Sequence, residues 1–523
     1  MKKNIKIYQK GKLVDKEINY IPTRYIFAIL ITIFEVAAII GVMILLAIHV
    51  PYFYLAILAT EIGVIIAIMV SNNNPDYKLV WLFVVVMVPL GGLMIYLIFY
   101  KRKLPQKSIK RLEKVHNSYS YNDENNFNDL SQQNELVATQ AKSICKTSGS
   151  HLYKNSKLEY FSIGEEMHKA ILAELSKAKK FIFLEYFIIE DGEFWNSILD
   201  ILKEKAKAGV EVKLVYDDVG CMGTLPGNYY KTLTKKYNIQ TVLFSKMRGQ
   251  ANGEFNNRSH RKILVIDGRV AFTGGINIAD EYINKVNRLG HWKDTGVKIE
   301  GEAINEFTKL FLMDYCLNSK KEQNFDFSKY FITQSSQKIN NYVVPFGDAP
   351  KPINNYSISK MAIMNLLNQA KKYVYITTPY LIVDNELMRA IENTAIRGVD
   401  IRVIVPHIPD KKMVYGMTRS VCLQLIKQGV KIYEYTPGFI HAKSYIADDD
   451  YGIIGTMNLD YRSLDHNFEN GVLIYNDSVI MDMKNDFIAT MNKSKNINEE
   501  KPKHKLLITK FIYILVKIFS PLL

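Results

Sequence analysis

The feature that most restricts this chain is a pattern it carries twice. The first copy reads His260-Arg-Lys262, four residues, Asp267, six residues, then Gly274-Gly-Ile-Asn277. The second reads His441-Ala-Lys443, four residues, Asp448, six residues, then Gly455-Thr-Met-Asn458. A histidine and a lysine two apart mean nothing alone, but five fixed residues at one spacing in two places mark an internal duplication. The flanks repeat too. AKKFIFLEYF from Ala178 returns as AKKYVYITTPY from Ala370, and GVEVKLVYD from Gly209 as GVDIRVIVP from Gly398. Apolar runs of strand length alternate with amphipathic ones: helix over 165–180, strand over 181–187, helix over 194–208, strand over 210–216. The pattern is α/β, built as two halves.

Residues two apart on a strand face the same way, so His260 shares a face with Lys262 and His441 with Lys443. Each pair sets a nucleophile or acid beside a cation able to hold a phosphate oxygen. Asp267 lies seven residues after His260, on the opposite face, and Asp-Gly between two apolar runs signals a hairpin turn. Asp267 and Asp448 are therefore expected to support strand ends more than to do chemistry. Gly274 and Gly455 are expected to let backbone approach a phosphate, with Asn277 and Asn458 offering amide donors. A further acid follows each copy in a matching frame, Asp294-Thr-Gly296-Val and Glu469-Asn-Gly471-Val.

The ends of the chain point to a membrane. Three apolar runs, 26–49, 51–70 and 79–100, are each long enough to cross a hydrocarbon core of roughly 30 Å as a helix. Seven basic residues precede the first run and seven follow the third, from Lys101 to Lys114. The positive-inside rule places both flanks in the cytoplasm, which requires an even number of crossings, so one of the three runs is then re-entrant or interfacial. The expectation is a multi-pass cell-membrane protein with its catalytic region at the cytoplasmic face. Lys505–Leu523 (KLLITKFIYILVKIFSPLL) suits a helix lying on an anionic lipid surface. With 67 Lys and Arg against 52 Asp and Glu, the net charge of +15 favours an anionic partner. Four scattered cysteines without a CxxC pair speak against a disulfide framework or a cysteine zinc site.

The expected organisation is a membrane anchor over 1–103, a linker over 104–150, and a first catalytic half over 151–320. A connection over 321–355, a second half over 356–500 and a membrane-surface helix over 501–523 follow.

The doubled HxKxxxxD pattern resembles the phospholipase D superfamily. Its surroundings, NNRSHRKILVIDGRVAFTGGINIADEYI and GFIHAKSYIADDDYGIIGTMNLDYRSLDHNFENGVLIYN, are similar to the bacterial cardiolipin synthase branch. So is PDYKLVWLFVVVMVPLGGLMIYLIFY, which resembles that branch's anchor. The departures are an extra apolar run before the anchor, and asparagines at Asn72–Asn74 where family members often carry arginines. The resemblance implies two phospholipase D-like halves related by a pseudo-two-fold axis, after N-terminal transmembrane helices. It implies a catalytic set of His260, Lys262, Asp267, His441, Lys443 and Asp448, with His260 the nucleophile and His441 the acid and base. It also implies that Asp294 and Glu469 orient the histidines. The reaction implied is phosphatidyl transfer from one phosphatidylglycerol to another, with release of glycerol through a phosphohistidine. Lysines stabilise the phosphoryl charge, so no metal or other cofactor is called for. Phospholipase D-type hydrolysis, or transfer to another alcohol, uses the same residues. A nuclease would explain the charge but not the apolar runs, so no nucleic-acid partner is expected. A membrane scaffold with dead sites would have lost a motif residue, and none is missing.

Overall fold

The computed structural model describes residues 2–9, 12–19, 23–50, 52–99, 106–247, 257–319, 326–333, 339–499 and 518–522. Two α/β units carry the duplication. The first is a seven-stranded sheet ordered Lys157–Phe161, Gly296–Glu300, Val270–Gly274, Lys262–Ile266, Phe181–Tyr186, Glu211–Asp217, Gln240–Phe244. The second contains the same arrangement: Tyr342–Asp348, Glu469–Tyr475, Tyr451–Gly455, Ser444–Ala447, Tyr373–Thr377, Asp400–Pro406, Lys431–Tyr435. Edge strands Tyr153–Lys154 and Ser494–Asn496 extend it. In each unit the last three strands of the order run parallel, as helical crossovers require, and the others are antiparallel.

The two units share a core. Phe183 stacks on Phe311 at 4.7 Å and Tyr375 on Phe487 at 4.7 Å, within one buried cluster that also takes Ile446, Ile454 and Val472. Helix Ile304–Asn318 is buried around nearly its whole circumference within this join. A shared core of this kind makes the halves one body rather than two tethered domains.

Three expectations need correction. Residues 106–150 are more than the expected linker. They hold α5 (Gln106–His116), α6 (Glu124–Gln133) and α7 (Glu135–Ser148) once the helices before them are numbered α1 to α4, and Leu130, Val137, Ala141 and Ile144 are buried in the second unit's core. Their asparagines, which suggest a loop, serve as caps and ties: Asn134 caps α7 through the Val137 amide, and Asn126 donates to the Leu152 carbonyl. Likewise 321–355 is not only a connection, since Tyr342–Asp348 is the counterpart of Lys157–Phe161 and opens the second sheet. Pro345 and Gly347 disguise it, and a near-edge strand tolerates them.

The third correction concerns the membrane end. Here α1 (Thr23–His49) and α2 (Phe53–Val70) are followed by two short helices, α3 (Pro75–Met87, 13 residues) and α4 (Pro89–Phe99, 11 residues). The run 79–100 is therefore not one helix. A proline at 89 has no amide to offer the preceding turn. At about 20 and 17 Å, neither piece spans a core of about 30 Å. They fold back on each other, with Trp81 edge-on to Tyr96 at 5.3 Å. A Cβ at Gly92 would stand 2.1 Å from the Val84 carbonyl oxygen, so only glycine allows this approach. Among the described residues one helix, over Ile29–Leu46 with mean hydropathy 2.8 and no burial, is long and apolar enough to cross a membrane; the apolar stretch Leu55–Val70 is shorter. Three spanning helices are thus not found. The expected C-terminal surface helix lies outside the described residues except for 518–522, where Phe519 meets Phe83 at 5.8 Å.

Candidate active site

Each motif histidine sits just before an inner strand, His260 ahead of Lys262–Ile266 and His441 ahead of Ser444–Ala447. There the halves are stitched by matching backbone bonds. The His260 amide donates to the Phe468 carbonyl at 2.8 Å, and the His441 amide to the Lys293 carbonyl at 2.7 Å. Phe468 and Lys293 are the residues directly before Glu469 and Asp294. The acids are consequently exchanged. His260 Nδ1 is 2.9 Å from both Glu469 oxygens, and His441 Nδ1 is 2.7 Å from Asp294 Oδ2. Each imidazole is held by the acid of the opposite half, so neither half contains a complete site. With Nδ1 engaged, Nε2 is the nitrogen left for chemistry.

The lysines lie against the same residues. Lys262 Nζ donates to the His260 carbonyl at 2.7 Å; Lys443 Nζ reaches the His441 carbonyl and stands 2.8 Å from His441 Nδ1. All six groups are buried: the histidines are 6 and 7% exposed, the lysines and acids 1% or less. Burial in low dielectric disfavours charge and dominates the titration here. It pushes His260 down to about 4 against the pull of Glu469, and His441 well below the usual imidazole value, with Lys443 and Lys262 adding to the effect. Burial also lowers Lys262 to about 7 and Lys443 to about 8. Both imidazoles are therefore neutral in the free protein.

The two acids differ. Burial would raise Glu469, but His260, Lys262 and hydrogen bonds outweigh it and hold the carboxyl below its ordinary range. Its donors include the hydroxyls of Thr456 and Ser463 (2.6 Å) and the Asn467 amide (3.3 Å). Among the described residues Asp294 accepts only the Thr295 amide besides its histidine contact, and burial raises it to about 7 despite the nearby lysines. The reason is legible in the repeat. Thr456 stands where the first copy has Gly275, and a Cβ at 275 would lie 2.1 Å from Asp294 Oδ1. One copy uses that position to donate a hydroxyl, the other to make room. Thr456, Ser463 and Asn467 are site residues that motif reading alone overlooks; the mismatch between the copies at 275 and 456 is the signal that points to the first of them.

The motif aspartates and glycines fall elsewhere. Asp267 and Asp448 sit at the far ends of their strands with φ of 56° and 54°. Asp267 accepts the amides of Lys179, Lys180 and Phe181 at 2.7–2.8 Å, and Asp448 those of Lys371, Lys372 and Tyr373 at 2.6–3.0 Å. Neither touches a histidine. Gly274 and Gly455 face neighbouring strands rather than open space, their added Cβ atoms meeting Thr295 and Asn470 carbonyl oxygens at 2.4 Å. Backbone pairing, not phosphate approach, requires them. Asn277 accepts the Ile188 amide at 3.2 Å and donates to Tyr282 OH at 2.7 Å, while Asn458 donates to Asp460 at 3.1 Å. Aromatic rings wall the histidines: Phe187 meets His260 at 5.3 Å and Tyr282 meets His441 at 5.4 Å, each edge-on.

Asp267→Ala is expected to cost about 2–4 kcal/mol, since three amides lose a charged acceptor and alanine must take a left-handed turn. Thermal unfolding should show the loss, while turnover per folded molecule stays within about twofold of the parent.

A duplicated α/β fold joining two histidine–lysine pairs with exchanged acids defines a protein of the phospholipase D type. The family described as "Cardiolipin synthase, PLD-like domain" matches residues 171–313 and 363–491, and "Phospholipase_D-nuclease N-terminal" matches 60–99. The chain is 31% identical over 452 residues to cardiolipin synthase 1 of Staphylococcus aureus, covering 85% of this chain and 91% of that one. It is 30% identical over 461 residues to cardiolipin synthase of Clostridium perfringens, with 87% and 96% covered. An uncharacterized protein of Streptococcus mutans is 39% identical over 468 residues, covering 88% of this chain and 100% of its own. Phosphatidylserine synthase of Haemophilus influenzae shares the fold, with a TM-score of 0.57 at 18% identity over 73% of this chain and 100% of that one. The chain belongs to the cardiolipin synthase family of phospholipase D-like enzymes.

Proposed function

We propose that this enzyme makes cardiolipin from two molecules of phosphatidylglycerol, with His260 as nucleophile and His441 as acid and base. The observation that carries this reading is the exchanged pairing, which closes two imidazoles and two lysines around one buried site. His260 Nε2 attacks phosphorus of the first lipid, and the P–O bond to its glycerol headgroup breaks. The departing oxygen takes a proton from His441 Nε2, giving glycerol and a phosphatidyl-histidine. A headgroup hydroxyl of the second lipid returns its proton to His441 and attacks phosphorus; the P–N bond breaks and cardiolipin leaves. Lys262 and Lys443 stabilise charge on the non-bridging oxygens, a role also open to Asn277 and Asn458.

The inequality of the acids supports the division of labour. A fully ionised Glu469 with several donors fixes His260 in one tautomer, as a nucleophile needs. The Asp294–His441 pair, with Asp294 titrating near 7, holds a proton that an arriving anionic lipid can draw onto the imidazole. The cytoplasmic face is the proposed location of the catalytic region, because the basic stretch 101–114 leads directly into it. The proposed organisation is an anchor through α4, two catalytic halves joined into one body, and a terminal segment at the lipid surface.

Purified protein given labelled phosphatidylglycerol is expected to release glycerol and form cardiolipin, with activity unchanged in excess chelator. Free phosphatidic acid as the main product would favour a hydrolase, and an adduct with an added alcohol another transferase. The pH profile of kcat/KM, which reports the free enzyme, should be bell-shaped. His260 must be neutral, so activity falls with acid toward pH 4. Lys262, Lys443 and Asp294 must keep their protons, so activity also falls as pH rises through 7–8.

A further inference from the structure

The join between the α3–α4 hairpin and the second catalytic half is built from specific polar contacts rather than a tether. Asp76 Oδ2 accepts the Tyr461 hydroxyl at 2.7 Å. The Tyr77 ring lies edge-on to His466 at 5.2 Å and to Tyr461 at 6.0 Å. Just before α3, Asn74 donates to Asp384 at 2.8 Å, and Asp384 also caps helix Asn385–Ile396 and binds Lys360 at 2.8 Å. Tyr461 precedes and His466 ends a single π-helical turn, Arg462–His466, a wide turn of the kind found at functional sites.

The other side of that turn faces the catalytic centre. Ser463 donates its hydroxyl to Glu469 Oε1 at 2.6 Å and accepts the Asn458 amide at 2.8 Å; Asn467, one residue past the turn, also donates to Glu469. Ser463 is itself fixed by its backbone amide, which donates to Asp460 Oδ1 at 2.7 Å. The Glu469 carboxylate in turn holds His260. A continuous run of contacts thus leads from the start of α3 to one catalytic imidazole. Among the described residues the first half lacks the corresponding device, for Asp294 receives no side-chain hydroxyl there.

We infer that Asp76 and Tyr461 are positioning residues for catalysis: the α3–α4 hairpin sets the 461–467 turn, and the turn sets Glu469 and hence His260. This rests on the reading of Glu469 as the acid that orients the nucleophile. The hairpin then does more than bring the enzyme to lipid, because a disturbed α3 loosens the nucleophile in an enzyme already bound to substrate.

The test uses the full chain in detergent micelles containing phosphatidylglycerol, where recruitment to a bilayer plays no part. Asp76→Ala and Tyr461→Phe are each expected to lower kcat for glycerol release about tenfold with KM unchanged, the size usual for groups that orient a catalytic ligand. Asp76→Asn, which still accepts the hydroxyl, should stay within about twofold, and the double variant should lose no more than either single one. Unchanged kcat in Asp76→Ala and Tyr461→Phe, or a change confined to KM, overturns the inference. If Glu469→Ala nevertheless loses activity, the reading of the active site stands and only the coupling to the hairpin falls. If Glu469→Ala is fully active, the site reading itself fails.

Discussion

His260→Ala is expected to lose at least about 10⁴-fold in kcat with every substrate, because the proposed nucleophile that forms the P–N bond is gone. His441→Ala should look equally inactive with phosphatidylglycerol, whose glycerol alkoxide cannot leave without a proton. The two variants separate when the leaving group needs none. With a phosphatidyl p-nitrophenyl ester, His441→Ala should recover release of nitrophenol, by about 10²–10⁴-fold relative to its glycerol release, and should then stall as the phosphatidyl-enzyme. His260→Ala should recover nothing. The roles come from geometry as much as from family likeness. Nε2 is the free nitrogen of both rings, but only His260 is backed by an acid with a threonine, a serine and an asparagine donating to it. Recovery in His260→Ala and not in His441→Ala would reverse the assignment.

The acids supply a test of comparable size. Glu469→Gln is expected to cost about 10²–10⁴-fold with phosphatidylglycerol, since an amide can stabilise the wrong tautomer of His260. That loss should persist with the nitrophenyl ester. Asp294→Asn should cost a similar amount with the natural lipid, yet regain nitrophenol release, because its partner His441 serves only the proton. This pattern is opposite to what sequence adjacency implies. Asp294 follows the first copy and would be assigned to His260 by position along the chain. Rescue of Glu469→Gln and not of Asp294→Asn would mean that each acid serves its own half, contrary to the contacts at 2.7 and 2.9 Å.

Much of the architecture is written in the repeat. The doubled motif places two inner strands, and the doubled AKK and GV segments place the parallel strands beside them, so the central strands of both sheets follow from local pattern. Asp267-Gly268 shows its turn plainly, because a left-handed aspartate before glycine is a local signal. What stays hidden depends on distant partners. Nothing near Asn134 or Asn126 says that one caps α7 and the other ties α6 to Leu152 rather than dissolving a linker, since the apolar face of α7 is completed only by the second unit's core. Nothing near Asp294 says that His441 is its partner, because the exchange arises where the two halves meet at Lys293 and Phe468. The broken third apolar run is a nearer miss. Pro89 and Gly91-Gly92 stand within it, and composition alone conceals them in an otherwise continuous apolar stretch.

The most direct test is to catch the intermediate. Enzyme mixed with phosphatidylglycerol carrying labelled phosphorus, quenched during turnover and digested, should yield one labelled peptide. Its phosphorus should be acid-labile and base-stable, as on a ring nitrogen, and fragmentation should place it on His260, with none on His441. Absence of any protein-bound phosphorus under conditions where His441→Ala releases nitrophenol, or label on a different residue, would contradict the account.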